Sequence, residues 1–444
     1  METSLPLQQK ERIFMIDALR GVALCGILIL NMPFFARAYQ LDFDWRVLQE
    51  TSMRNIASWM VTGFVLGGSF RAMFSMLFGA GALLIISRLE KQSGLGAADV
   101  YYRRLIWLLV FGLVNAYVLL WPGDILYHYA ICGLFLFPLR KSSVKLLLCL
   151  CLFFICVNMF KSYLKNQENL EKREKGLAAM TLETQKKTLT EEQKGDLEKW
   201  KETVEKTKVE NVKKEVEKEN KAMLKSYPEV WKHVKSTNAK FESTAFYDNI
   251  FFDVMICILL GMALYKLGIL TGDKSTGFYA GMLILGYGLG IGEGIMSGIY
   301  WYNAQLNYYN FIERWPFPFS LYDLHRALVA IGHIGLISLL YKSGVFHGFL
   351  KLYACVGQMA FTNYLSQSII CTLIFYGYGL GYFGHFERYE LFYFIFGIWV
   401  FQIAFSNIWL KYFLFGPLEW VWRSLTYWKR QPMLRTRQVE LALA

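Results

Sequence analysis

The chain predicts an all-α polytopic membrane protein of about ten transmembrane helices with an inserted soluble helical segment. Three observations carry that class. Of 444 residues, 55% are hydrophobic, 17% aromatic and only 18% charged, where a soluble domain carries about 25% charged residues. Long apolar runs alternate with short charged connectors, and mean hydropathy is +0.29. A single stretch, Lys161–Lys240, breaks the alternation: it is rich in Lys and Glu, with almost no Gly or Pro and no apolar run.

A span needs about 20 apolar residues. In order, spans are expected near Met15–Phe35, Phe70–Ser87, Leu105–Trp121, Tyr127–Leu139, Lys145–Phe160, Tyr247–Leu267, Gly277–Tyr300, Tyr322–Tyr341, Tyr353–Tyr378 and Leu391–Phe415. Tyr127–Leu139 is short for a span. Ile56–Leu66 reads as an interfacial helix, joined to the second span by Gly67-Gly68-Ser69. Met1–Arg12 is polar and no cleavage signal follows, so the first span is expected to serve as an uncleaved targeting signal. Placing both termini in the cytoplasm puts Lys10, Arg12, Arg88, Arg103, Arg104, Arg140, Lys266, Lys342 and the basic tail Arg423–Arg437 on one side, as the positive-inside rule requires. The chain thus divides into N-terminal spans (1–160), a charged extramembrane insertion (161–245), C-terminal spans (246–431) and a cytoplasmic tail (432–444). The insertion reads as solvated helices with Glu–Lys neighbours at three or four residues. Its length exempts it from the charge rule, so an extracytoplasmic location is allowed.

The net charge of +12 follows the topology signals and forms no nucleic-acid module. The eight Cys lie mostly inside apolar runs without CxxC pairs, which excludes a disulfide frame or a cysteine metal site.

Chemistry is sought among polar groups inside apolar runs, where each needs a partner. Asp17 and Arg20, three residues apart at the inner end of the first span, read as an ion pair or as a handle for a cytoplasmic anion. Asn31 lies about four turns further on. Arg71 is expected near the outer boundary, able to hold a carboxylate. Asp124 and His128 stand at i,i+4, where a carboxylate can orient an imidazole base; a structural hydrogen bond is the plainer reading. Glu293, Asp323, His325, Arg326 and His333 mark the later spans. Gly286, Gly288, Gly290, Gly292 and Gly294 alternate without a βαβ unit, so close helix packing is expected in place of a nucleotide loop. The segment Gly357–Gly381 places Gln358, Thr362, Asn363, Ser366 and Gln367 on one helical face. Interhelical glue and a substrate-lining surface both fit that face.

The blocks IDALRGVALCGILILN, GSFRAMFSMLFGAG, GDILYHYAICGLFLFPLR, GQMAFTNYLSQSIICTLIFYGYGLG and FGPLEWVWRSLTYW, in that order, resemble the YeiB-like family of bacterial inner-membrane proteins. The resemblance spans nearly the whole chain outside Lys161–Lys240, and its C-terminal domain of unknown function would run from about Phe252 to Gln431. The family is distantly similar to transmembrane acyltransferases such as heparan-α-glucosaminide N-acetyltransferase, whose LD-x-x-RG-like start is matched here by Asp17, Arg20 and Gly21. That similarity implies acyl transfer from cytoplasmic acyl-CoA to a sugar-type acceptor across the membrane. The acetyltransferase uses a His ahead of its second span; here the first His is His128.

The expectation is a membrane acyltransferase of the bacterial inner membrane, with Asp17 and Arg20 at an acyl-CoA donor, Asp124 and His128 as base, and Asn363 and Gln367 along the path of a sugar or lipid acceptor. The alternative is a transporter or flippase for a small polar or lipid-linked solute, which polar faces inside spans suit equally. A third reading makes Lys161–Lys240 the assembly arm of a homo-oligomer.

Overall fold

The computed structural model describes residues 13–42, 45–93 and 96–435. The polar start Met1–Arg12 and the end of the tail beyond residue 435 lie outside them. Helix α1 (Phe14–Ala36) is followed by the short α2 (Met53–Met60), then α3 (Ser69–Ser93), α4 (Ala97–Tyr117), α5 (Leu126–Leu134) and α6 (Leu136–Leu139). Next come α7 (Val144–Thr184), α8 (Glu191–Thr207), α9 (Val209–Met223), α10 (Tyr227–Glu242), α11 (Phe251–Lys266) and α12 (Thr276–Asn303). The chain closes with α13 (Tyr308–Arg314), α14 (Tyr322–Lys342), α15 (His347–Gln358), α16 (Ala360–Phe375), α17 (Leu391–Tyr412) and α18 (Pro417–Tyr427).

Among the described residues, seven helical stretches are long and apolar enough to cross a membrane: Phe14–Ala36, Met53–Lys91, Val144–Thr184, Tyr227–Lys266, Thr276–Asn303, Tyr322–Lys342 and Arg388–Tyr412. The other three expected spans are also helical, but each departs from the simple pattern. Leu105–Trp121 is helical only to Tyr117, the end of α4, whose first two turns hold Arg103 and Arg104. Tyr127–Leu139 is split, α5 ending at Leu134, the residue whose carbonyl the Pro138 ring would strike in a continuous helix. Tyr353–Tyr378 is split at Met359 into α15 and α16. The interfacial stretch around Ile56–Leu66 becomes α2, capped by the Ser52 hydroxyl, and a π-turn over Val61–Val65. It joins α3 through Gly68 at φ +71°, a backbone setting that glycine adopts without strain.

Helices α1, α3, α11 and α14 form the buried centre, and the lipid-facing rows lie outside it. Leu152 and Phe153 of α7 are 61% and 58% exposed, as a bilayer neighbour requires. One end of the bundle gathers Arg20, Arg88, Arg104, Arg140, Lys266 and Arg423 and is called here the basic face. At the other end, the 41-residue α7 runs on for about 60 Å at 1.5 Å per residue, twice the hydrocarbon thickness of a bilayer. Its polar half meets α8 where Trp200 packs on Gly176. Helices α9 and α10 then fold back over the bundle. The Gly377 amide donates to the Met223 carbonyl and Asn238 of α10 to the Ala116 carbonyl, so the insertion caps this end.

Candidate functional site

The first motif is seated by a crossing of two helices at van der Waals distance. A Cβ added at Gly21 would lie 1.9 Å from the Tyr353 carbonyl oxygen, and one at Gly357 would lie 1.9 Å from the Asp17 carbonyl oxygen. Only glycine lets α1 and α15 approach this closely. The crossing holds Asp17 and Arg20 at the basic face, where the guanidinium donates to Asp17 Oδ1 at 3.0 Å.

Beside this pair opens a cavity of about 230 Å³. Arg20, Arg88, Arg104 and Arg423 stand around its mouth, with Asp17 and Gln358 in the same wall. Its middle is apolar, formed by Leu77, Phe78, Ala82, Leu105, Leu108 and Phe361. Phe74, Leu126, Tyr129 and Tyr364 close the deep end. Helix α18 lies along the rim: the Arg104 guanidinium sits 3.6 Å over the Trp422 ring, whose Nε1 donates to the Arg104 carbonyl, and Arg103 donates to the Thr426 carbonyl. Among the described residues Arg104 makes no ion pair, so its charge is held by an aromatic face at the cavity edge.

Glu419, which sequence reasoning missed, anchors α18 to the start of α16. Its carboxylate accepts from the Phe361 amide at 2.7 Å, the Thr362 amide at 3.1 Å and the Thr362 hydroxyl. Burial raises this carboxyl above the ordinary carboxylate range, and the hydroxyl and amide donors oppose the shift. A negative side chain on the open amides of a helix start satisfies groups that the break at Met359 releases. The only signal for it was a lone acid within the apolar block FGPLEW.

The polar face is divided between a cavity wall and a seam between helices. Gln358 lines the cavity. Asn363 and Gln367, expected along an acceptor path, lie outside it. Asn363 is 1% exposed and donates to the Val356 carbonyl freed at the helix break and to Ser406 Oγ on α17. Gln367 donates to the Leu24 carbonyl and to Gln402, and Gln402 donates back to Ser366 and the Asn363 carbonyl. These amides join α1, α16 and α17.

Asp124 and His128 are not hydrogen-bonded to each other. The i,i+4 argument needs both on one helix, but α5 begins at Leu126. Asp124 sits in the preceding turn, where it accepts from the Tyr127 amide at 2.9 Å and from Asn115 at 2.8 Å. His128 points elsewhere, its Nε2 3.3 Å from the Phe241 carbonyl and its ring stacked on Phe246. The Tyr364 hydroxyl, 3.5 Å from Asp124 Oδ1, links Asp124 to the deep end of the cavity.

Asn31 lies half-buried on α1 towards the capped end, outside the cavity. Arg71 holds a carboxylate, Asp253 of α11 at 3.0 Å. Asp253 also pairs with Arg326, which in turn reaches Asp323 at 2.8 Å, and Asn158 of α7 donates to Asp323. Two arginines and two aspartates thus close a neutral cluster between α3, α7, α11 and α14, with Asp253 and Arg326 buried and Arg71 and Asp323 half-buried. His325 pairs with Glu293 at 3.0 Å, while His333 bridges Ser69 and Tyr287. In the glycine run, Gly286 and Gly290 meet α14 and Gly294 meets Phe64 and His325, whereas a Cβ at Gly288 or Gly292 would meet nothing within 4 Å. Close packing holds for every second glycine of the run, at a spacing of four residues.

Long apolar helices, lipid-facing rows and buried neutralised charges define an all-α polytopic membrane protein. Residues 264–429 match the family described as Protein of unknown function (DUF418). The chain is 28% identical to Uncharacterized protein YxaH of Bacillus subtilis, over 99% of this chain and 100% of that one. It is also 28% identical to Uncharacterized protein YeiB of Escherichia coli, over 94% and 96% of the two. These matches bear out the YeiB-like resemblance. No solved structure matches the chain significantly.

Proposed function

We propose that the chain is a membrane acyltransferase whose acyl-CoA donor enters the arginine-rimmed cavity from the basic face. One observation carries the reading: four arginines ring the mouth of an apolar cavity, a pairing of charge and hydrocarbon that suits a ligand with phosphates on one part and an acyl group on another. The basic face is then cytoplasmic in a bacterial cytoplasmic (inner) membrane, with both termini on that side. The held acyl group points towards Tyr364, Asp124 and the capped face, where the resemblance implies a sugar or lipid acceptor. The carboxylates placed to take the acceptor's proton are Asp17, in the wall, and Asp124, one hydroxyl behind it.

Purified protein incubated with labelled acyl-CoA and membrane lipids or sugars tests the reading. Acyl transfer lost in Arg104→Ala supports it, and Asp17→Asn against Asp124→Asn separates the two carboxylates. No turnover and no CoA binding refutes it. The break between α15 and α16 in the cavity wall favours a second reading, because discontinuous helices line the substrate sites of transporters. Uptake of an unmodified solute into proteoliposomes would select that reading.

A further inference from the structure

The cavity is deeper than a small acyl group needs, and its wall is the wrong chemistry for a polar arm. Along α3 it runs from Arg88 to Phe74, about 21 Å at 1.5 Å per residue. Beneath the arginines, from Ile85 down to Phe74, the run is about 16 Å. An extended covalent chain advances about 3.6 Å per three bonds, so this stretch takes a chain of about a dozen atoms.

The pantetheine arm of CoA has a similar length, so polarity must decide between it and hydrocarbon. Two buried amides without partners would each cost about 2–7 kcal/mol. The tyrosine hydroxyls of the lining are committed to protein: Tyr101 donates to the Gly133 carbonyl, Tyr129 is bonded to Ser75, and the Tyr364 oxygen accepts from the Ile125 amide.

We infer that the cavity takes the hydrocarbon end of a single-chain amphiphile with a phosphate-bearing head and about a dozen carbons in its chain. A phosphate attached close to the chain, as in a lysophosphatidate, lies at Arg20, Arg88, Arg104 and Arg423; in an acyl-CoA the pantetheine arm stays outside along the basic face, and in both the chain end rests against Phe74, Tyr129 and Tyr364. This deepens the donor reading and rests on it only for the identity of the head. The chain length, not the thioester, is what the wall selects.

Gly81 gives the means of testing the depth. It lines the cavity about halfway down, and an added Cβ would meet only Arg20 Nη2, at 3.7 Å. Gly81→Leu therefore fills the cavity without striking backbone. The experiment measures binding of acyl-CoAs from acetyl to hexadecanoyl, and of the matching lysophosphatidates, to the protein in nanodiscs, with empty nanodiscs as the partition control. Affinity should rise about fourfold per methylene, at least about 10²-fold between acetyl and dodecanoyl, and level off near twelve carbons. In Gly81→Leu the gain should stop several carbons earlier, with thermal unfolding close to the parent's showing that the variant is folded. A rise in the lysophosphatidate series alone keeps the inference and refutes acyl-CoA as the donor. Equal affinity for acetyl- and dodecanoyl-CoA overturns the inference and leaves the donor reading standing. If Gly81→Leu does not fold, Leu108→Phe repeats the test from α4, and an unchanged ladder in a folded variant overturns it equally.

Discussion

Replacing Gly357 with Ala should break the crossing that seats the Asp17–Arg20 pair. The new methyl would start 1.9 Å from the Asp17 carbonyl oxygen and 2.8 Å from the Gly21 amide, where ordinary contacts begin near 3.4 Å. The obstacle is helix backbone, so no side chain can swing away, and α1 and α15 must part by about 1.5 Å. A gap of even 0.5–1 Å forfeits a quarter to a half of each dispersion contact along the seam. Overpacking of this kind costs about 1–3 kcal/mol in well-packed cores, and about 3 kcal/mol is expected here because both faces are rigid. Gly288→Ala is the matched control: nothing lies within 4 Å of its added methyl, and Ala gains about 0.5–1 kcal/mol over Gly in a helix. Thermal unfolding of both purified variants in one detergent should show Gly357→Ala melting well below the parent and Gly288→Ala at or above it. Equal melting of the two would refute the backbone-contact argument.

Arg326→Ala should destabilise by about 3 kcal/mol, the low end for a broken buried pair because Arg71 still faces buried Asp253, while half-buried Asp323 loses its cation; adding Asp253→Asn and Asp323→Asn should recover part of the melting temperature. Asn363→Ala should cost about 1–3 kcal/mol by removing the buried amide that ties the Val356 carbonyl to Ser406, with acyl-CoA affinity unchanged; a fall in affinity without a fall in stability would return Asn363 to the ligand path. Glu419→Ala should cost about 1–2 kcal/mol by uncapping α16, read as faster amide exchange at Phe361 and Thr362 than at residues near Phe375.

The spans were legible because hydropathy is a sum over many residues, and α1, α12, α14 and α17 each fall within a few residues of expectation. The ion pair of Asp17 and Arg20 was legible because it lies within one turn of one helix. Hydropathy misses what interrupts a helix without changing its polarity. The run Tyr353–Tyr378 stays apolar across Met359, and only the fold shows that Glu419, about 60 residues on, takes up the freed amides. Asp124 and His128 failed for the converse reason: spacing assumed one helix through both, and that helix starts two residues after Asp124. The cavity was invisible because its arginines come from α1, α3, α4 and α18, and each, taken alone, is an ordinary topology signal.

The neutral cluster of Arg71, Asp253, Asp323 and Arg326 sets a problem of timing during synthesis. Arg71 emerges about 180 residues before Asp253, a wait of roughly ten to forty seconds at 5–20 residues per second. A lone charge at the centre of a bilayer costs about 2.5–3.5 kcal/mol on insertion scales, and less towards the edge where Arg71 sits. Helix α3 must therefore either linger at the insertion machinery or enter with its first turn drawn back to the surface, and seat fully only when α11 arrives. The long soluble insertion is translated during that interval. The middle third of the protein thus completes the middle of its first.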